Sequence, residues 1–358
     1  MQEENRFIEG IFRRHERGFG FVIVEDQEDD IYIAKEDSKD AFSGDRVLVK
    51  LKKKSNGARQ EGIILKVIEH KKDTLVGTFQ KNKNFGFVIP DDKKLCRDIF
   101  ISKKNFGKAR NNHKVLVQIT KYPQKGKKAE GKILEVIGNV NEAGVDMLSL
   151  IKEHSLPSVF PEQVVQEAER CGNKVDKKDI PNRVDLRDKT IFTIDGEDAK
   201  DLDDAVRVIK LKNGNYRLDV HIADVSYYVR EGSLLDKEAQ IRGTSVYMLS
   251  RVIPMLPKEL SNGICSLNAG QDRFTLSCSM EINNKGEVVS AEVYKGIINV
   301  TERMNYHDVN DIFKFADMKD GKIELADEEL ARVNSVAEKY KEFIPHFLRM
   351  RELKNVLK

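Results

Sequence analysis

The feature that most constrains the fold is an internal repeat in the first 140 residues. Gly10-Ile11-Phe12 recurs as Gly77-Thr78-Phe79, Phe19-Gly20-Phe21-Val22-Ile23 as Phe85-Gly86-Phe87-Val88-Ile89, and Ile31-Tyr32-Ile33 as Ile99-Phe100-Ile101. Val47-Leu48-Val49 returns as Val115-Leu116-Val117, and the offset drifts only from 66 to 68 residues. Each copy is a set of short alternating strands bounded by Gly, Asn and Asp, which predicts a small closed β-barrel rather than helices. Each barrel is expected to bury its own core. Within Phe-Gly-Phe both rings fall on one strand face, because side chains alternate with period two. Phe19 and Phe21 with Tyr32, and Phe85 and Phe87 with Phe100, thus form two platforms on which unpaired bases can stack while lysines follow the phosphates. Burial of these rings in a core is the competing reading.

A second feature constrains chemistry. Thr193-Ile194-Asp195-Gly196-Glu197-Asp198-Ala199-Lys200-Asp201-Leu202-Asp203-Asp204-Ala205 places five aspartates and a glutamate between two apolar runs. Crowded carboxylates repel unless something positive sits among them. An all-oxygen donor set suits a hard divalent cation, above all Mg²⁺ shared with substrate phosphates. The loop is not an EF-hand, since glycine falls second after Asp195 and Val206 stands twelfth. A solvated acidic turn is the plainer alternative. The flanks Ile191–Ile194 and Ala205–Ile209 read as buried strands, so the acids are expected to be held partly against the protein body.

Composition narrows the class. The chain of 358 residues has 62 Lys and Arg against 59 Asp and Glu, but the charge is unevenly spread. Residues 1–50 carry 8 basic and 13 acidic side chains, net −5, whereas residues 51–140 carry 22 and 8, net +14, as expected for a polyanion-binding segment. Cys96, Cys171, Cys265 and Cys278 show no CxxC pairing and read as reduced thiols of a cytoplasmic protein. The start, Met1-Gln2-Glu3-Glu4-Asn5-Arg6, lacks an apolar signal core, and no stretch approaches membrane-spanning length, so neither secretion nor membrane association is expected.

The two repeats resemble cold-shock domains, OB-type barrels that bind single-stranded nucleic acid. The first departs from that pattern in Glu25-Asp26-Gln27-Glu28-Asp29-Asp30, which would repel phosphates and leave more of the affinity to the second. Residues 141–182 read as a connector of two short helices interrupted by Pro157 and Pro161. Together with Arg183-Val184-Asp185-Leu186-Arg187, the aspartate loop, the His221–Val229 segment and Pro254–Ser261, the chain resembles the ribonuclease II/R (RNB) family of exoribonucleases. The expected architecture is a multidomain, β-rich α+β chain. Two OB-type cold-shock β-barrels span residues 1–70 and 71–140, the connector 141–182, and the N-terminal part of an RNB-type α+β catalytic domain 183–358.

The resemblance implies a Mg²⁺-dependent hydrolase that shortens single-stranded RNA from its 3′ end and releases nucleoside 5′-monophosphates. It puts Asp195, Asp201, Asp203 and Asp204 at the catalytic and metal positions, with Glu197 and Asp198 outside that set. It also matches Tyr247 to a tyrosine that stacks on the 3′-terminal nucleotide, a buried core tyrosine being the alternative. Further partners implied are the ribosome or RNA-decay machinery, met by a monomer. In the family the catalytic domain continues for about as long again, adding an arginine, a glutamate and an S1 barrel. The chain therefore reads as an internal portion, and activity on its own is not expected. Downstream, Lys212-Asn213-Gly214-Asn215 predicts a hairpin turn, then Tyr216, Leu218, Val220 and Ile222 on the apolar face with Arg217, Asp219 and His221 opposite. His221 reads as structural. An RNA-binding protein without catalysis and a DNA-directed metallonuclease are the alternative functions.

Overall fold

The computed structural model describes residues 7–25, 27, 29–39, 41–52, 59–123, 127–249 and 251–358. Of the acidic run at 25–30, Asp26 and Glu28 lie outside these residues, as do Met1–Arg6. The chain forms two units, Met1–Ser158 and Val159–Lys358.

The first unit holds two closed barrels of identical topology. Strands β1 (Phe7–Arg14), β2 (Gly20–Ile23), β3 (Ile31–Ile33), β4 (Arg46–Leu51) and β5 (Glu61–Glu69) close in the order β1-β2-β3-β5-β4. Strands β6 (Thr74–Lys81), β7 (Phe85–Pro90), β8 (Ile99–Ser102), β9 (His113–Lys121) and β10 (Glu130–Asn139) repeat that order. Closure removes the sheet edges, the usual solution for an OB-type barrel. Period-two alternation sends Phe12, Val22, Ile31, Ile33, Val47 and Val49 into the first core, and Phe79, Val88, Ile99, Ile101, Val115 and Val117 into the second.

The glycine of each Phe-Gly-Phe follows from this packing. A Cβ on Gly20 would lie 2.5 Å from the Phe12 ring, and one on Gly86 would collide with the Phe79 ring in the same way. Only glycine leaves room for the inward phenylalanine, and its two neighbours then point outward.

The barrels do not bury wholly separate cores. Phe42 of the first barrel is 3% exposed and packs into the second core with Leu95 and Cys96. Buried Asp45 beside it accepts from Phe42 N at 2.8 Å and from Lys71 N at 3.2 Å, and pairs with His70 Nδ1 at 2.9 Å. The His70 ring stacks on Tyr122 of the second barrel with centroids 3.4 Å apart. Ser43 N also donates to Leu95 O at 3.0 Å, so backbone, ring and core contacts all join the two barrels.

The helices read as one connector fall in different units. Helix α1 (Val145–Glu153) packs against β6, β9 and β10 of the second barrel. Helix α2 (Glu162–Arg170) packs on α4 (Leu234–Arg242) and on the helical turn Glu259–Ile264 in the second unit.

The second unit is built on a seven-stranded sheet of order β11-β18-β17-β14-β13-β12-β19. Its strands are β11 (Val184–Asp185), β12 (Phe192–Asp195), β13 (Asp204–Lys210), β14 (Tyr216–Ala223), β17 (Asp272–Ile282), β18 (Val288–Asn299) and β19 (Glu302–Asn305). A short hairpin of β15 (Val246–Tyr247) and β16 (Val252–Ile253) lies apart, after the four-residue helix α3 (Val225–Tyr228) and α4. Val164, Ala168, Leu235, Leu260 and Ile264 cover Leu202, Ala205 and Ala223. The charged C-terminal stretch is part of a second helical layer: α5 (Tyr306–Lys319), α6 (Asp327–Lys339) and α7 (Ile344–Val356) bury Phe192 and Met304 with Ile312, Tyr340 and Phe347.

Strand β14 departs from its apolar pattern. Ile222, placed on the apolar face, is 46% exposed, whereas Asp219 and His221, on the opposite face, are 4% and 1% exposed. The cross-strand partners make this burial tolerable, since buried polar groups must be hydrogen-bonded. Asp219 accepts from Arg207 Nη1 at 2.8 Å and Ser279 Oγ at 2.5 Å, and His221 Nδ1 meets Ser277 Oγ at 2.8 Å.

Candidate active site and nucleic-acid platforms

Strands β12 and β13 run antiparallel, with Phe192 opposite Val206, so Asp195 at the end of one and Asp204 at the start of the other share one end of the sheet. The intervening loop is fixed by the apolar Leu202, which is fully buried. Leu202 N donates to Ser266 Oγ at 3.1 Å, Leu267 N to Leu202 O at 2.8 Å, and Ala223 N to Asp203 O at 3.0 Å. In Asp-Leu-Asp-Asp, therefore, the leucine anchors the backbone and the flanking acids are carried out toward solvent.

Arg303, on β19, completes the loop. Its Nη2 donates to Glu197 O and Ala199 O, both at 2.7 Å, and reaches Gly196 O at 3.4 Å. Sequence reading passed over this arginine, which lies 106 residues from Glu197 in an unremarkable Glu-Arg-Met-Asn strand. Only the parallel pairing of β12 with β19, Thr193 opposite Arg303, delivers it.

The four aspartates are electrostatically coupled. Burial raises the Asp195 carboxyl above the usual range, and the charges of Asp204, Asp203 and Asp201 push it further, against a lowering effect of Arg303. Asp203 keeps contact with solvent, yet desolvation by the adjacent protein raises it as well, helped by Asp201 and Asp204. Glu197 and Asp198 are exposed. Asp195 Oδ2 is buried with no hydrogen-bond partner. Among the described residues no three His, Cys, Asp or Glu side chains already form a metal-holding group.

Tyr247 stands at this site and not in the core. Its side chain is 65% exposed, and its hydroxyl donates to Asp201 Oδ2. That hydrogen bond, followed by desolvation and the charge of Asp201, pushes the phenol up to about 12. His221 is remote in role: burial lowers its imidazole to about 4 and keeps it neutral, and its Nε2 has no partner.

In the first unit the six platform aromatics are partly exposed and form two matching triangles. Phe19, Phe21 and Tyr32 have centroids 5.8 to 5.9 Å apart, and Phe85, Phe87 and Phe100 5.6 to 6.0 Å apart. Each triangle carries a cation: Arg59 lies 4.3 Å from the Phe21 ring and Lys128 4.2 Å from Phe87. Such a cation over a ring face is stabilised by the ring quadrupole and stands beside any stacked base.

Three family models match this architecture. Residues 10–67 match the ribonuclease B OB domain, residues 87–161 a cold shock domain, and residues 183–346 the RNB domain. Ribonuclease R of Thermotoga maritima is 48% identical over 82% of this chain and 41% of its own length. The Escherichia coli K12 ribonuclease R is 40% identical over 86% of the chain and 38% of its length. The chain thus spans about two fifths of the length of these curated relatives. Among solved structures, Mycoplasma genitalium RNase R in complex with ribose-methylated single-stranded RNA superposes with a TM-score of 0.79 at 25% identity, covering 92% of this chain and 52% of that one. With two OB-type barrels preceding an RNB domain, and with ribonuclease R relatives matched across most of its length, the chain belongs to the RNB family of exoribonucleases.

Proposed function

We propose that this chain acts in the hydrolysis of single-stranded RNA from the 3′ end, releasing nucleoside 5′-monophosphates at a Mg²⁺ site made by Asp195, Asp201, Asp203 and Asp204. The observation that carries this reading is the coupling of four carboxylates around the orphaned, buried Asp195 Oδ2. An oxygen-only donor set with an unsatisfied buried member suits a hard dication, which would offset the burial and mutual repulsion that raise the Asp195 and Asp203 carboxyls. When bound, Mg²⁺ would activate a water and neutralise charge developing on the phosphate and the leaving oxygen. The chain's own residues do the rest. Leu202 and Arg303 hold the loop rigid, the Tyr247 ring supplies a stacking face for the terminal base, and the six barrel aromatics hold the strand upstream. Direction and product rest on membership in the family, and single-strand preference on the exposed rings. Four free cysteines support a reducing, cytoplasmic setting.

Asp203→Asn tests the assignment. Because the carboxylates act on metal and transition state more than on RNA affinity, the substitution made in a chain of its relatives' full length should abolish mononucleotide release yet leave single-strand binding within a few-fold of the unaltered full-length protein. Mg²⁺ titration calorimetry should show weaker metal binding in the same variant. Retained turnover overturns the assignment. An RNA-binding role without catalysis is the second reading, supported by the six partly exposed barrel rings. It would show as strand binding with no nucleotide release at any Mg²⁺ concentration from an unaltered protein of the relatives' full length.

A further inference from the structure

Residues 200–203 of the acidic loop belong to no helix or strand, so their peptide groups depend on partners from elsewhere in the chain. One side chain meets two of them. Ser266, fully buried, donates from Oγ to Lys200 O at 2.9 Å and accepts at the same atom from Leu202 N at 3.1 Å. These two groups lie on either side of Asp201. A hydroxyl that gives its proton to one and a lone pair to the other fixes the Asp201 backbone in direction as well as in place. The Tyr247 hydroxyl, donating to Oδ2 of the same residue, holds its side chain.

Ser266 is itself held at every polar group. Its N–H donates to Gly263 O at 3.1 Å, and its carbonyl accepts from Arg273 Nε at 2.8 Å and from Asn268 Nδ2 at 3.3 Å. Arg273 is 2% exposed, and its remaining nitrogens are taken by Gly263 O, Asp272 O and Gln271 Oε1. A buried guanidinium is tolerated only where its donors are met, so the turn around Ser266 is rigid and passes that rigidity to Asp201 through one hydroxyl.

Rigidity at a carboxylate decides which ion it suits. Mg²⁺ demands near-octahedral oxygens at about 2.0–2.1 Å, whereas Ca²⁺ takes roughly six to eight in flexible geometry, so cavity size and flexibility separate the two.

We propose that Ser266 is a positioning residue for Asp201, and that its hydroxyl makes the acidic loop rigid enough to select Mg²⁺ over Ca²⁺. The proposal rests on the reading of the four aspartates as a metal site, and it adds what sets the selectivity of that site. Attachment of the loop to the protein body has other supports, the buried Leu202 side chain and the 2.8 Å bond from Leu267 N to Leu202 O. Loss of the hydroxyl therefore unpins Asp201 without releasing the loop.

Calorimetric titration of the chain with Mg²⁺ and, separately, with Ca²⁺ gives the ratio of the two affinities. Ser266→Ala should weaken Mg²⁺ several-fold and leave Ca²⁺ nearly unchanged, so the ratio falls, and hydrogen exchange at the Leu202 amide should quicken. Ser266→Cys, which fills the space with a weak donor and acceptor, should lower the ratio likewise and is read in place of the alanine if circular dichroism shows that variant unfolded. Ser266→Thr keeps the hydroxyl and should hold the ratio near that of the unaltered chain. Ile264→Val trims the same core without touching a polar group, and controls for general loosening. An unchanged ratio in Ser266→Ala, or an equal fall in Ile264→Val, overturns the proposal and leaves the metal site standing. If the unaltered chain binds neither ion, or Asp203→Asn binds Mg²⁺ as the unaltered chain does, the metal reading itself falls and takes the role of Ser266 with it.

Discussion

The hydroxyl of Tyr247 donates a hydrogen bond to Oδ2 of Asp201, tying an exposed aromatic ring to a carboxylate of the proposed metal site. One residue thus faces two tasks, presenting a ring to a terminal base and occupying an oxygen that a cation would claim. Tyr247→Ala and Tyr247→Phe separate them. Alanine removes roughly 1–3 kcal/mol of stacking, so digestion by a protein of the relatives' full length carrying it should stop at a longer limit product. Phenylalanine keeps the ring and frees Asp201, so the product ladder should stay as it is while half-saturating Mg²⁺ falls. Neither change should lower the thermal midpoint appreciably, because the side chain is largely outside the core. A stability loss with an unchanged ladder would place Tyr247 among structural residues.

Arg303 holds three loop carbonyls through one guanidinium nitrogen. Arg303→Lys keeps the charge but loses the planar fork, and Arg303→Met loses both. Mg²⁺ binding measured by calorimetry should weaken in both variants, more in the methionine, while single-strand affinity holds. Equal metal affinity in all three proteins would show that the loop keeps its shape without this clamp.

Gly86→Ala places a methyl group against the Phe79 ring in a closed barrel. Overpacking of this kind typically costs about 1–3 kcal/mol. The expected result is a lower unfolding midpoint of the first unit and weaker strand binding, because Phe85 and Phe87 flank the displaced backbone. Pairing the change with Phe79→Leu should recover part of the stability. No loss in the single variant would mean that the ring has more room than the structure allows.

The buried His221 gives stability a pH dependence. Its folded value, near 4, lies below the ordinary 6.5, so the unfolded chain takes up the proton first. The contribution is fully present above about pH 6.5 and is lost as pH falls toward 4, amounting to roughly 3 kcal/mol if no other group compensates. Urea unfolding between pH 7.5 and 5 should show the midpoint falling in the wild type and a flatter profile in His221→Gln. Parallel profiles would assign the acid sensitivity to other groups.

Much of this architecture was legible from local pattern. Period-two alternation and the 66-to-68-residue repeat specify two barrels, because strand faces follow directly from residue spacing. The outward aromatics follow from the same rule, and the glycine between them from the size of the inward phenylalanine. The acidic cluster is legible too, since five aspartates between two apolar runs restrict where a loop can sit. The departures have a common physical origin in partners that are distant in sequence. Arg303 reaches the loop only because β19 pairs in parallel with β12. Asp219 and His221 read only as lying opposite the apolar face of their strand, and their hydrogen bonds come from Arg207, Ser277 and Ser279 on neighbouring strands. Phe42 looks like a residue of the first barrel, yet fills the core of the second. Tyr247 carries no local signal that decides between core and surface, and its hydrogen bond to Asp201 spans 46 residues. Spacing along the chain determined which residues share a face, whereas the pairing of strands and barrels decided which charges, rings and carbonyls meet across them.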